Sequence, residues 1–140
     1  MYFTRNDLLE QYHKSQFEAN IPADMFIISA GGALVMHRIR DTTLDLDIDT
    51  DQAHYQSLID AGYPIIDDGF PRVRLNDHTD VHSVQIPRIE VMKIDGVWCY
   101  TLEHLVTQYE KLAAHPARKP EKIQRDLDTV AKLKKLILMR

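Results

Sequence analysis

Apolar and acidic residues alternate along residues 44–49, a pattern with the two-residue period of a β-strand. The alternation puts the side chains of Asp45 and Asp47 on one face of that strand and the apolar side chains on the other. An earlier run, residues 25–29, is apolar up to its final serine, which is typical of a short buried strand. Two strands are therefore predicted, separated by a glycine pair and a short helix over residues 33–39.

Helical spacing of apolar residues predicts four further helices, two before residue 101 and two in the C-terminal part of the chain. The predicted spans are residues 6–17, residues 51–60, a helix that starts at Thr101 and stops before Pro116, and residues 121–138. Asn6, Asp51 and Thr101 are the predicted N-caps of the first three, because each has a short polar side chain that accepts a hydrogen bond from the helix backbone. In the last helix the predicted buried stripe consists of Ile123, Leu127, Val130, Leu133 and Ile137.

The segment from residue 63 to residue 100 is rich in β-forming and turn residues. The predicted strands are residues 64–66, 73–75, 79–85, 89–94 and 97–100. Asp95 and Gly96 join the last two as a type I′ hairpin turn. The predicted fold class is α/β (α+β), a mixed sheet flanked by helices, with two C-terminal helices packed on it. One domain is expected over residues 1–140, with its core at about 20–100 and its helical part at about 101–140.

Composition narrows the class of protein. The 140 residues are 44% hydrophobic and 27% charged, as in an ordinary globular protein, and the net charge of −4 provides no global field for nucleic acid or anionic membranes. The single cysteine, Cys99, excludes an internal disulfide framework and favours a reducing compartment. The N-terminus lacks a basic flank followed by an apolar segment, and no stretch has a membrane span's length, so a cytoplasmic protein without a membrane partner is predicted.

The glycine pair and the acidic strand together suggest a chemistry. The Cα atoms of Asp45 and Asp47 would lie roughly 6.5–7 Å apart on one strand face, so both carboxylates can converge on a hard cation. Gly31 and Gly32, placed as a turn before a helix, leave backbone N–H groups free to meet phosphate oxygens. Metal-assisted phosphoryl chemistry requires both elements. The alternatives are a half-exposed strand with solvated acids and a plain tight turn.

A third acid is needed if two divalent ions about 3.5–4 Å apart are to be held. Asp80 is the best candidate, because it lies on a predicted strand and shares a face with His82. A carboxylate beside a cation is also a plausible base for an attacking hydroxyl. Asp77 is the competitor, although it lies in a predicted turn. His82 is either a contact to metal or substrate, or a partly buried polar neighbour.

These motifs resemble the nucleotidyltransferase superfamily with the DNA polymerase beta type of palm, including its small bacterial members and the antibiotic adenylyltransferases. The signature is a hydrophobic residue, Gly, then Gly or Ser, nine to thirteen residues, and Asp-h-(Asp/Glu)-h, which residues 30–32 and 45–48 match. Arg40, Thr43 and Asp45 match the Arg-x-(Ser/Thr)-x-Asp of the small members, and residues 79–82 are similar to their third-acid strand. The resemblance covers about residues 25–133.

The resemblance implies the transfer of a nucleoside monophosphate from a nucleoside triphosphate, probable donor ATP, to an acceptor hydroxyl, with release of pyrophosphate. Asp45, Asp47 and Asp80 would be the catalytic acids and the ligands of two Mg²⁺ ions, with Mn²⁺ as a substitute. The implied nucleotide-binding residues are Ser29, Gly31, Gly32, Arg40 and Thr43. The acceptor would be a small molecule, a protein side chain or an RNA end.

Two departures from the small members affect what the resemblance implies. Arg38 or Ile39 stands where many have Gly, and Tyr109 stands where many have Lys, which removes a phosphate contact. An alternative function therefore stays open: a weakly active or inactive nucleotidyltransferase-like module of a two-component, toxin–antitoxin type system. Such a module would dock on a helical protein partner or form a homodimer.

Overall fold

The structure, a computed structural model, describes residues 2–140. Within these residues a seven-stranded sheet has the order β3-β4-β5-β2-β1-β7-β6, and five α-helices flank it. The β1–β7 and β2–β5 pairs are parallel, whereas the remaining pairs are antiparallel. The predicted fold class, a mixed sheet flanked by helices, is confirmed.

The strands are short, and most lie within or near the predicted spans. Their bounds are β1 Ile27–Ser29, β2 Leu46–Thr50, β3 Ile65–Ile66, β4 Arg72–Asn76, β5 Thr79–Ser83, β6 Val91–Ile94 and β7 Val97–Tyr100. The helices are α1 Arg5–Ala19, α2 Ala30–Met36, α3 Gln52–Asp60, α4 Leu102–Ala114 and α5 Pro120–Leu138. Strands β1 and β6 begin later than predicted because Ala23–Met25 and Arg88–Glu90 form 3₁₀ turns.

Helix α1 starts earlier than its predicted N-cap, Asn6. The cap is Thr4, whose side chain accepts from the Asp7 backbone N–H while the Asp7 carboxylate accepts from the Thr4 backbone N–H. This reciprocal capping box satisfies two N–H groups, which a lone Asn6 cap does not do. The predicted caps Asp51 and Thr101 are confirmed, since each side chain accepts from the backbone N–H three residues later.

The glycine pair lies inside helix α2 and not in a turn before it. The helix begins at Ala30, directly after β1, so Gly31 and Gly32 occupy its first turn. The reversal is made at Ala30, which has a φ of 51°. A residue with a β-carbon rarely adopts this left-handed conformation, so the junction of β1 and α2 is a strained point of the backbone.

The two faces of the sheet have different neighbours. One face carries Leu46, Ile48 and Val81, which are fully buried. Helix α1 crosses this face, and the side chain of Gln11 donates to Thr79 there at 2.9 Å. The other face carries the acidic residues, because side chains alternate along β2 and β5.

The C-terminal helices pack on each other and on the β7 side of the acidic face. The ring of His104 in α4 stacks on Tyr100 of β7 with centroids 3.7 Å apart. In α5, Val130 and Leu133 are buried as predicted, but Leu127 is 46% exposed. Asp126, one position earlier, is buried and takes the place predicted for an apolar side chain.

Candidate active site

Strands β2 and β5 bring Asp47 and Asp80 side by side, and the neighbouring strand β1 sets Ser29 beside Asp47. Asp47 of β2 lies in register with Asp80 of the parallel strand β5 and with Ser29 of the antiparallel strand β1. In-register side chains point to the same face, so Asp47 lies between the other two. Asp45 lies just before β2 and is exposed. We call Asp45, Asp47 and Asp80 the acid row.

The environment of the central acid, Asp47, disfavours the charged form of its carboxylate. Burial raises the pKa of Asp47 from 3.8 to about 7, and the charges of Asp80 and Asp45 add to this shift. Arg72 and Lys122 oppose it. The site therefore concentrates negative charge at one half-buried carboxylate, an environment that favours a bound cation.

Asp80 is engaged by two arginines of β4. Its Oδ1 accepts from Arg74 Nε at 2.8 Å, and its Oδ2 accepts from Arg72 Nε at 3.0 Å and from Arg74 Nη2 at 3.3 Å. Among residues 2–140, no three Asp, Glu, His or Cys side chains are grouped as a metal site. Carboxylate oxygens suit Mg²⁺, so the free carboxylates of Asp45 and Asp47 fit such an ion, whereas Asp80 is already paired.

Three of the five predicted nucleotide-binding residues, Gly31, Arg40 and Thr43, meet at one end of the acid row. A β-carbon built on Gly31 would lie 2.7 Å from Thr43 Oγ1 and 3.4 Å from Arg40 Nη1, so only glycine fits this corner without a shift. The backbones of Thr43 and Phe3 exchange two hydrogen bonds, of 2.7 and 3.0 Å, which fix the Thr43 segment. Gly31, Arg40 and Thr43 therefore form a small corner beside Asp45.

Ser29 and Gly32 have structural contacts. The Ser29 hydroxyl donates to the Asp47 carbonyl at 3.3 Å and does not cap α2. A β-carbon at Gly32 would lie 3.0 Å from the Ile28 side chain, so this glycine packs against the core. The Ala30 backbone N–H donates to Gln108 Oε1 of α4 at 3.1 Å, which ties the start of α2 to the C-terminal helices.

The C-terminal helices form a wall beside the acid row, of which the sequence patterns singled out only Tyr109. Burial raises the pKa of Tyr109 to about 12, and the nearby charges of Arg40 and Asp47 act on the same hydroxyl. Arg118 and Lys122 lie within electrostatic range of Asp47. We call Tyr109, Arg118 and Lys122 the C-terminal wall. Only a long-range contact map would place these residues at the site, since they follow Asp47 by more than 60 positions and lie on different elements.

The wall extends across the acid row to the loop before β4. The rings of Phe70 and His115 lie 4.4 Å apart, and a β-carbon on Gly69 would collide with Ala117. Arg118, in the connection between α4 and α5 that also carries His115 and Ala117, makes a bidentate ion pair with the buried Asp126 at 2.6 and 2.7 Å. The connection between α4 and α5 is thus held at its start by contacts with the loop before β4 and at its end by the ion pair with α5.

Behind the acid row lies a second buried carboxylate. Asp49 accepts from the Tyr100 hydroxyl at 2.6 Å, and burial raises the pKa of Asp49. His82 lies in register with Asp49, and its buried Nδ1 has no hydrogen-bond partner among residues 2–140. These contacts favour the reading of His82 as a partly buried polar neighbour of Asp49.

A separate pocket of about 390 Å³ opens at the far ends of β2 and β5. It is lined by Met25, Gln52, Ser83 and Arg88, among others, and contains none of the predicted site residues. The Ser83 hydroxyl already donates to Gln52 Oε1 at 2.6 Å, and Arg88 donates to the Asp24 carbonyl at 2.6 Å. The polar groups of this pocket are therefore used within the protein.

Comparison with family models, curated proteins and solved structures finds no match to this chain. Among residues 2–140, no helix combines the length and the apolar character that crossing a bilayer requires. Functional interpretation therefore depends on the geometry of the acid row and its surroundings.

Proposed function

We propose that this protein is a magnesium-dependent nucleotidyltransferase that uses a nucleoside triphosphate, with ATP as the preferred donor, and an acceptor hydroxyl. The observation that carries the proposal is the register of β2 and β5, which sets Asp47 beside Asp80. The corner of Gly31, Arg40 and Thr43 lies at the end of the same row. Metal-assisted phosphoryl transfer needs acids that can hold a cation and, next to them, a glycine corner that phosphate oxygens can approach closely.

Each group has a proposed part in the transfer. Asp45 and Asp47 would hold Mg²⁺, which neutralises charge on the triphosphate when it is bound. Arg40 and Lys122 would contact phosphate oxygens as charged donors. The acceptor oxygen bonds to the α-phosphorus, the bond from that phosphorus to the β-bridging oxygen breaks, and pyrophosphate leaves. The proton of the acceptor hydroxyl passes to solvent, because Asp47 as a ligand of Mg²⁺ is not free to accept it.

Calorimetry of ATP binding with and without Mg²⁺ is the first test, because it needs no acceptor. We expect binding that requires the metal and that Asp47→Asn abolishes. Asp77→Asn is the matched control, because Asp77 is an exposed acid in the turn before β5. Metal-independent binding, or equal binding by the Asp47 variant, would contradict the proposed site.

Transfer itself is tested with ATP labelled at the α-phosphate, Mg²⁺ and three acceptor classes: small hydroxyl compounds, proteins and RNA ends. We expect label on one class with the parent protein and the Asp77→Asn control, and none with Asp47→Asn. Label that survives Asp47→Asn would argue against catalysis by the acid row.

A second candidate function is a binding module that docks through its C-terminal helix. Leu127 is 46%, Leu138 85% and Met139 72% exposed, more apolar surface than the core requires. If this face pairs with a second copy, sedimentation will show a dimer that Leu138→Ser weakens. Ile65→Ser is the control, since Ile65 is 54% exposed on β3, the edge strand at the opposite end of the sheet from β7 and β6. A monomer at all concentrations would remove the homodimer form of this candidate.

A further inference from the structure

The arginines of β4 change what the acid row can bind. Arg74 lies in register with Asp80, and Arg72 lies on the same face two positions earlier. Together they occupy both carboxylate oxygens of Asp80 with three charge-assisted hydrogen bonds of 2.8–3.3 Å. A cation that bound Asp80 could reach only the remaining lone pair of Oδ1, against the repulsion of two guanidinium charges.

This pairing is anchored outside the acid row. Arg72 Nη1 also donates to Asp68 Oδ1 at 2.8 Å and to the Phe70 carbonyl at 2.9 Å. The side chains of Arg72 and Asp80 are only 16% and 10% exposed. Freeing Asp80 would leave a guanidinium poorly solvated and without its partner, which is costly for a pair so little exposed.

The balance of charge also argues against a second cation at Asp80. With all three carboxylates ionised the acid row carries three negative charges, and Arg74 together with Arg72, which is shared with Asp68, already offsets the charge of Asp80. The charge left at Asp45 and Asp47 matches one divalent ion.

We propose that Arg72 and Arg74 take the place of a second metal ion, so that the site holds a single divalent cation through Asp45 and Asp47. Asp80 is then a positioning residue that acts through the arginines and not a metal ligand. This inference rests on the proposed function, and it replaces the two-ion site that the family resemblance implies.

The test uses electron paramagnetic resonance of Mn²⁺ bound to the full chain with a non-hydrolysable ATP analogue. Two Mn²⁺ ions about 3.5–4 Å apart are magnetically coupled, whereas one ion gives an uncoupled spectrum. We expect one uncoupled Mn²⁺ per chain in the parent. A coupled pair in the parent would overturn the inference while leaving the proposed function intact.

Arg74→Gln examines the cause, because it frees Asp80 Oδ1 and removes a side chain that is 40% exposed. We expect a second, coupled Mn²⁺ in this variant and none in Arg88→Gln, an arginine outside the acid row. An uncoupled single ion in Arg74→Gln would show that the arginine is not what excludes the second ion.

In Asp47→Asn the affinity for Mn²⁺ should fall about tenfold or more, since loss of even an indirect partner of a metal ligand costs 10- to 100-fold in metal affinity. An affinity for Mn²⁺ equal to that of the parent would overturn both proposals.

Discussion

Asp47 has an unfavourable environment in the metal-free protein. Its carboxylate is half-buried between Asp80 and Ser29, and its raised pKa means that the folded protein favours the protonated form up to about pH 7. In the unfolded chain the same group ionises near its ordinary value of 3.8. Stability contributed by protonated Asp47 is therefore complete below about pH 4 and is lost as the pH rises to about 7.

Asp47→Asn should therefore stabilise the protein at high pH. The asparagine stays neutral, so at pH 8 and in EDTA we expect a free energy of unfolding about 2–4 kcal/mol above that of the parent, because one pKa unit corresponds to about 1.4 kcal/mol. The difference should disappear below pH 4. Urea unfolding at both pH values measures it, with Asp77→Asn as the exposed control. A variant less stable than the parent at pH 8 would contradict the assigned pKa.

The contact between helix α2 and the segment before β2 depends on the absence of one side chain. Gly31→Ala would place a methyl group 2.7 Å from Thr43 Oγ1, and we expect a loss of about 1–3 kcal/mol from this overpacking. In a Thr43→Ala background the nearest remaining atoms are an ordinary contact away. There the alanine should be neutral or stabilise by about 0.5–1 kcal/mol through its higher helix propensity.

Thermal unfolding of the four proteins of this cycle gives the coupling energy between the two positions. The expected change of sign separates a steric cause from a conformational one, because the φ of Gly31 lies outside the left-handed region. Equal destabilisation in both backgrounds would mean that the hydroxyl of Thr43 is not the obstacle.

The connection between α4 and α5 depends on a buried ion pair. Asp126 is 1% exposed and accepts both hydrogen bonds of Arg118, so Asp126→Asn should cost about 3–5 kcal/mol by leaving a buried charge without its partner. Replacing both residues, Arg118→Met with Asp126→Leu, should cost less than the single change. Chemical denaturation measures both, and Asp128→Asn, an exposed acid of the same helix, is the control. A single change as mild as the control would show that the pair is not needed.

Local patterns predict those elements whose determinants lie close together in the chain. The Asp51 and Thr101 caps and the turn at Asp95, with φ of 49° there and 81° at Gly96, follow from residues two or three positions apart. Strand alternation predicts that Asp45 and Asp47 share a face, whereas the place of Asp80 beside Asp47 depends on the long-range parallel pairing of β2 with β5. The pairing of Asp80 with Arg72 is not predicted either, because it depends on how β4 aligns with β5, and that alignment includes a register shift between Arg74 and Asn76.

Periodicity also fails where a polar residue is buried for a specific partner. The α5 pattern predicted Leu127 in the core, yet the helix is turned so that Asp126 faces inward to Arg118. A charge buried with a bidentate partner cannot be distinguished from a solvated one by spacing alone. The same limit applies to the start of α2, where Ala30 makes the reversal that the glycines were predicted to make.

At the scale of the whole molecule, two parts of the chain face each other at the site: the sheet, which carries the acid row, and the C-terminal wall. The sheet provides the carboxylates, and the C-terminal wall provides cations although the protein's net charge is −4. The contact of Phe70 with His115 joins the wall to the far side of the sheet. The cations of the C-terminal wall therefore attract a ligand with several negative charges, whereas the carboxylates of the sheet attract a bare cation.

Lys122→Gln separates these two contributions. Lys122 makes no ion pair among residues 2–140, and its charge lowers the pKa of Asp47. We expect the dissociation constant for ATP with Mg²⁺ to rise about tenfold, because a hydrogen bond to a charged group contributes about 1.5–3 kcal/mol. Mn²⁺ binding without nucleotide should not weaken, since the sheet holds the metal. Lys135→Gln is the control, roughly 20 Å along the same helix. If calorimetry finds equal ATP affinities for the two variants, the wall does not contact the triphosphate, and the nucleotide must bind through the sheet side alone.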